Sequence, residues 1–195
     1  MSMLLVAGLG NPGREYTGTR HNAGAAVVEA FAARHGLDWR RSVRFAAKIA
    51  RWDRKPGATC LLIRPTTYMN DSGRAVRALA DFHRVPPAAV IAVYDDLTIE
   101  LGRIKITQRG SAGGHNGVAS LLEHLGGGFQ RFRLGIGPKH PPEMDLKDFV
   151  LGKFTPDEQI LFNQQLTTYT DGLGLLIDRG PADAMNQLNR RDRTP

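Results

Sequence analysis

The sequence predicts an α/β fold, a single domain with a twisted mixed β-sheet flanked by helices. Three observations carry that expectation. Short apolar runs without alternation recur at residues 3–7, 59–63 and 90–94, as expected of strands covered on both faces. Stretches of helical pattern separate strands along most of the chain. Two later segments, 101–107 and 131–136, alternate apolar and basic residues instead, and hairpin-like adjacency late in the chain makes the sheet mixed.

The elements follow in order. The first run ends in Gly8-Leu-Gly-Asn-Pro-Gly13, a tight turn that needs glycine at positive φ. Residues 22–34, rich in Ala and Val, read as a helix with Asn22 as N-cap and Gly36 as its stop. Val43, Phe45, Ala47 and Ile49 alternate with Arg44 and Lys48, which predicts a half-buried strand. Arg54-Lys-Pro-Gly57 is a turn, and Pro65 ends the strand after it. A polar loop, 66–73, leads to a helix capped by Asp71 or Ser72 and closed by Pro86-Pro87. The strand at 90–94 is expected to end at Asp95-Asp96. A glycine-rich loop, 110–117, precedes a short helix over 118–125. In 131–136, Phe132, Leu134 and Ile136 share one face, with Arg131 and Arg133 on the other. Thr155-Pro-Asp-Glu158 combines an N-cap Thr, an N1 Pro and an N3 Glu, starting a helix that should reach about Ile177. Gly180-Pro181 opens a last helix, and the basic tail 189–195 is expected to fray.

At 195 residues the chain can bury a sizeable core, and no linker or repeat interrupts it, so one domain over 1–195 is expected. Lys and Arg number 26 against 19 Asp and Glu, a net charge of +7, which favours a polyanionic partner. The lone cysteine, Cys60, excludes a disulfide or a cysteine-based metal site within the chain, and the cytosol is the default compartment. No apolar run approaches a membrane span, and no basic region precedes the first one as in a signal peptide.

Several residues invite chemistry. Gly8-x-Gly-x-x-Gly13 matches the dinucleotide fingerprint and follows a strand, but Pro12 lies inside it and the acidic partner after a second strand is missing. His21 stands near a strand-to-helix junction, the edge where α/β sheets bind ligands. Asp95 closes another strand, where its carboxylate can accept from an imidazole, fix the tautomer and raise its basicity. Asn11, Asn70 and Asn116 sit in loops, as turn formers or as amide donors to an oxyanion or a backbone-like group. No Gly-x-Ser-x-Gly elbow exists, Cys60 sits in a strand, and the spacing of His21 and His115 matches no metal motif. Arg103, Lys105 and Arg109, with Arg131 and Arg133, form either a solvated strand face or a stripe for phosphates.

Taken together these segments resemble the bacterial peptidyl-tRNA hydrolase family. The resemblance rests on Gly8-Leu-Gly-Asn-Pro-Gly13, Tyr16, Thr19-Arg-His-Asn-Ala-Gly24, Pro65-Thr-Thr-Tyr-Met-Asn-Asp-Ser-Gly73, Tyr94-Asp-Asp-Leu97, Gly113-Gly-His-Asn-Gly117, Phe132-Arg-Leu-Gly-Ile-Gly137 and Phe149-Val-Leu-Gly152. They run in the family's order from about residue 3 to 160. The resemblance implies a peptidyl-tRNA hydrolase-like sheet and hydrolysis of the ester joining a peptide to the terminal ribose of tRNA. It makes His21 the general base for water and Asp95 its orienting partner. Asn70 and Asn116 would place the tRNA end or the peptide, and Asn11 would select blocked peptidyl-tRNA over free aminoacyl-tRNA. Tyr16, Tyr68 and Met69 would line the tRNA end, and Arg103, Lys105 and Arg133 would meet phosphates. It implies no metal or organic cofactor, tRNA as the partner and a cytoplasmic monomer. Two alternatives stay open: a non-catalytic RNA-binding protein, and a nucleotide-dependent enzyme using Gly8–Gly13 that NAD or ATP would stabilise against heat.

Overall fold

A computed structural model describes residues 2–189. Seven strands form one sheet: β1 (Ser2–Gly8), β2 (Arg40–Ser42), β3 (Ala47–Lys55), β4 (Ala58–Pro65), β5 (Val90–Glu100), β6 (Ile104–Thr107) and β7 (Gln130–Gly137). Their order across the sheet is β2-β3-β4-β1-β5-β7-β6. The centre is parallel, with β1 between β4 and β5, and β5 beside β7. Antiparallel partners, β2 with β3, β3 with β4, and β6 with β7, complete both flanks. The sheet is mixed, as the sequence predicts.

Helices α1 (Ala23–Arg34), α5 (Pro156–Arg179) and α6 (Pro181–Leu188) cover one face, around Val27, Phe31, Phe132, Tyr169 and Leu173. Helices α2 (Ser72–His83) and α3 (Asn116–Leu125) cover the other, around Leu5, Ile63, Leu79, Leu121 and Phe129. A short α4 (Leu146–Leu151) joins β7 to α5. Strands β1 and β4 are neighbours, yet the chain leaves β1 for one face and β4 for the other. That divergence opens a crevice at their carboxyl ends. The capping box at the start of α5 forms, with Thr155 Oγ1 accepting from Glu158 N and Glu158 Oε2 accepting from Thr155 N.

Three expectations need correction, and one helix goes unread in the sequence. The strand predicted through Val43 is a hairpin: β2 ends at Ser42, Val43 is 86% exposed, and Ala46 turns at φ 45°. Alternation continues through the turn, so periodicity alone masks it. Strand β5 does not stop at Asp95 but runs to Glu100, with a register shift after Asp96. The segment 146–151 is helical, with Asp145 as its side-chain cap. Asn189 is not frayed: its side chain accepts from Ile106 N and donates to Ile106 O, clasping the free edge of β6. The rest of the tail lies outside the described residues.

Candidate active site

His21 occupies a single 3-10 turn, Arg20–Asn22, between the first loop and α1. A Cβ added to Gly24 would collide with the Val93 carbonyl, so glycine alone lets α1 start against β5. Leu9 N donates to that same carbonyl at 3.0 Å. This close approach brings the imidazole to Asp95, two residues further along β5. His21 Nδ1 lies 3.1 Å from both Asp95 carboxylate oxygens. His115 Nε2 lies 3.0 Å from Asp95 Oδ1. Asp95 thus sits between two imidazoles and is 3% exposed. Burial alone would raise its carboxyl; His115 and then His21 overcome that and hold it well below the usual carboxylate range.

Proton positions follow from the partners. His115 is the N-cap of α3, and its Nδ1 accepts from Gly117 N and Val118 N at 3.1 and 3.3 Å. Its proton therefore resides on Nε2 and is donated to Asp95. Asp95 can only accept, so His21 carries its proton on Nδ1 and keeps a lone pair on Nε2. Among the described residues nothing bonds that nitrogen. His21, Asp95 and His115 also offer ligand atoms within 4.8 Å of one another. A metal on His115 Nε2 would need that ring as an imidazolate, since Nδ1 is already committed to two N–H donors. The cluster is built for hydrogen bonding rather than for metal ligation.

The imidazole and carboxylate line a cleft of about 920 Å³, with Asn11, Tyr68, Met69, Asn70, His115 and Asn116 also on its walls. Asn11 is buried and held from both sides. Asn22 Oδ1 accepts from its backbone N, and Asn22 Nδ2 donates to its backbone O. Asn22 therefore stands at the N-cap position without capping. Asn11 Oδ1 accepts from Met69 N at 2.8 Å, which leaves its Nδ2 as a donor. Asn70 and Asn116 are exposed, on the turn before α2 and the first residue of α3. Tyr16 does not line the cleft, but packs edge-on against Tyr68 at 6.4 Å.

The sequence matches the family model described as peptidyl-tRNA hydrolase over residues 5–195. The chain belongs to the peptidyl-tRNA hydrolase family. A peptidyl-tRNA hydrolase from Gloeobacter violaceus is 44% identical, covering 98% of this chain and 96% of the relative. One from Lactiplantibacillus plantarum is 43% identical, covering 96% and 100%. The crystal structure of peptidyl-tRNA hydrolase from Acinetobacter baumannii shares the fold with a TM-score of 0.88 at 36% identity, over 96% of this chain and 94% of that one. The chain is a hydrolase, and its family reaction is hydrolysis of peptidyl-tRNA. Among the described residues no helix is long and apolar enough to cross a membrane.

Of the cations the sequence singles out, Arg133 lies on the cleft wall of this peptidyl-tRNA hydrolase fold, paired with Asp96 at 2.7 Å. Lys105 stands directly opposite it on β6, exposed. Arg103 is outside the cleft, 3.8 Å from Glu100. Arg131 does not share a surface stripe with Arg133. It is buried, stacked on Phe129, and donates to Gly110 O and Ser111 O, so it fastens the glycine-rich loop. Cys60 is buried in β4 and burial pushes its thiol up to about 12, which rules out a nucleophile there.

Sequence reasoning missed His115 as Asp95's second partner, Asn22 as the clamp on Asn11, and Arg20. Arg20 donates to Phe149 O and Lys153 O, pairs with Glu158 and stacks on the Phe149 ring. It ties the His21 turn to α4, whose Leu146, Lys147, Val150 and Leu151 form the far wall of the cleft. A histidine directly before a helix was the one signal for His115; nothing local marks the other two.

Proposed function

We propose that His21 is the general base of the hydrolysis and Asp95 the group that orients it. The observation that carries this reading is the free Nε2 of a buried imidazole whose Nδ1 is held by a buried carboxylate, at the side of an asparagine-lined cleft. Nε2 takes a proton from water as its oxygen attacks the ester carbonyl. Amide donors from Asn11, Asn70 and Asn116 bind the peptide and the charge that develops on the carbonyl oxygen. The imidazolium then returns the proton to the departing ribose oxygen. Peptide leaves with a free carboxylate and tRNA with a free hydroxyl, and no covalent intermediate forms. Asn11 Nδ2, oriented by Met69 N, reads the peptide portion and so favours blocked over free aminoacyl-tRNA. Tyr68 and Met69 flank the tRNA end, with Tyr16 packed against Tyr68.

Lys105 and Arg133, with Arg103 beside them, would receive phosphates of the acceptor stem. Arg133 already has the Asp96 carboxylate, so it is exposed Lys105, directly opposite on β6, that has charge to spare for a phosphate. Phosphate contacts of this kind hold many tRNAs without reading sequence. The enzyme acts as a monomer in the cytoplasm on this reading.

Cleavage of N-acetyl-aminoacyl-tRNA but not of free aminoacyl-tRNA by the wild-type chain is the deciding test; tight tRNA binding without cleavage would leave only an RNA-binding protein. Lys105→Gln should raise KM with kcat unchanged and lower the salt slope of binding by about 0.9, the share of one duplex phosphate. An unchanged slope would remove Lys105 from the phosphate surface. His115→Ala should cost about 10- to 100-fold in kcat, by analogy with the partners that orient metal-bound histidines. A loss confined to KM would place His115 in substrate binding instead.

A further inference from the structure

We propose that Asn22 sets the selectivity of the cleft, as a positioning residue that acts through Asn11. The inference rests on the reading of Asn11 as the group that meets the peptide portion of the substrate. Asn22 does not line the cleft, so it bears on the substrate only through a neighbour. Its buried side chain spends both of its groups on the Asn11 backbone. Oδ1 accepts from Asn11 N at 2.8 Å, and Nδ2 donates to Asn11 O at 3.0 Å. An asparagine at the start of a helix ordinarily caps it. Asn22 makes no side-chain cap, and Ala25 N of α1 donates to Leu9 O instead, at 2.9 Å. Three bonds therefore tie the start of α1 to residues 9–11. A Cβ on Gly10 would crowd Asn22 Cγ at 3.1 Å and the Ala25 methyl at 2.9 Å, so this arrangement needs glycine there.

Holding both backbone groups of Asn11 fixes the direction of its Cα–Cβ bond. Met69 N, donating to Oδ1 at 2.8 Å, then fixes the rotation of the amide and leaves Nδ2 as a donor. The two competing substrates differ in what they offer that donor. An N-acylated residue presents an amide carbonyl, which accepts. A free aminoacyl ester presents an amino group, which in its charged form holds only donors. A donor held in place bonds the first and opposes the second, and a site left unpaired in this way rejects the wrong substrate. An amide free to turn would lose the distinction, because Oδ1 could then accept from the ammonium. The rigidity of Asn11 is the source of the selectivity, and Asn22 supplies it. His21 and Asn22 are consecutive, so one 3-10 turn places both the base and the support of the group that reads the acyl carbonyl.

The test is the ratio of kcat/KM for N-acetyl-aminoacyl-tRNA to that for the same tRNA with its amine free. It is measured in wild type, Asn11→Ala, Asn22→Asp and the double variant. A clamp needed only for folding would lower both activities alike and leave the ratio unchanged, and so would a displaced His21. Asn22→Asp keeps the size of the side chain and the acceptor for Asn11 N, but sets a second acceptor against Asn11 O. Its ratio should fall about 10- to 100-fold, the range expected when a binding group shifts by about 1 Å. Asn11→Ala should lower the ratio at least as far, and Asn22→Asp should change nothing more in that background. An unchanged ratio in Asn11→Ala would overturn the reading of Asn11 and this proposal with it. A ratio that falls in Asn11→Ala but holds in Asn22→Asp would overturn the proposal alone and leave Asn22 a structural clamp. A further fall in the double variant would also overturn it, because Asn22 would then act by another path.

Discussion

Alanine at position 21 is expected to lower kcat for N-acetyl-aminoacyl-tRNA by about 10⁴-fold, the upper range for a positioned base. The reason is the absence of a substitute. Asp95 is buried between two imidazoles and bonds His21 at Nδ1, not at Nε2, and His115 has its own proton fixed by the α3 backbone. Binding should survive, because the proposed phosphate contacts at Lys105 and Arg133 do not involve His21. Single-turnover kinetics with equilibrium tRNA binding separate the two effects. Activity within tenfold of wild type would show that His21 is not the base.

Asp95→Asn should be almost as damaging, about 10³- to 10⁴-fold, as when the orienting carboxylate of a catalytic triad is made an amide. Aspartate offers only acceptors here, whereas asparagine offers one acceptor and one donor group. The Nε2 proton of His115 claims the acceptor, because that ring's tautomer is set by Gly117 N and Val118 N. The amide NH₂ then takes the Oδ2 position, 3.1 Å from His21 Nδ1, where it opposes a proton on that nitrogen and favours the tautomer with the proton on Nε2, which removes the base. A second change tests this directly. His115→Ala in the Asp95→Asn background frees the amide to turn its oxygen to His21. The double variant should therefore be more active than Asp95→Asn alone; a double variant weaker still would refute the tautomer account.

The same carboxylate links stability to pH. Its native value is depressed, so its contribution is present above the ordinary aspartate value of about 3.9 and is lost as pH falls through the native one. The gap in unfolding free energy between wild type and Asp95→Asn should narrow as pH drops below about 4. Urea titrations along a pH series measure it, and a gap that widens with acid would contradict the depressed value.

What the sequence made legible was local or positional. The α5 start could be read because a capping box is complete within four residues. His21, Asp95 and Asn11 stood out because strand ends converge at one edge of an α/β sheet, and the structure brings all three to one cleft. The hairpin at Val43 was hidden because apolar alternation crosses the turn without a break. Arg131 read as a surface cation because alternation assigns a face but not what covers it; the glycine-rich loop folds over that face and buries it. His115, Asn22 and Arg20 act through partners 20, 11 and more than 100 positions away, which no pattern within one segment encodes.

Arg20 has a mechanical consequence. Its guanidinium is pinned to the carbonyls of Phe149 and Lys153, to Glu158 and to the Phe149 ring, while the next residue in the chain is His21. The α4 wall cannot swing outward as a free flap: it must either shed this whole set of contacts or drag the imidazole off Asp95. A doorway opening on that side therefore either breaks the whole Arg20 set or unseats the imidazole beside it.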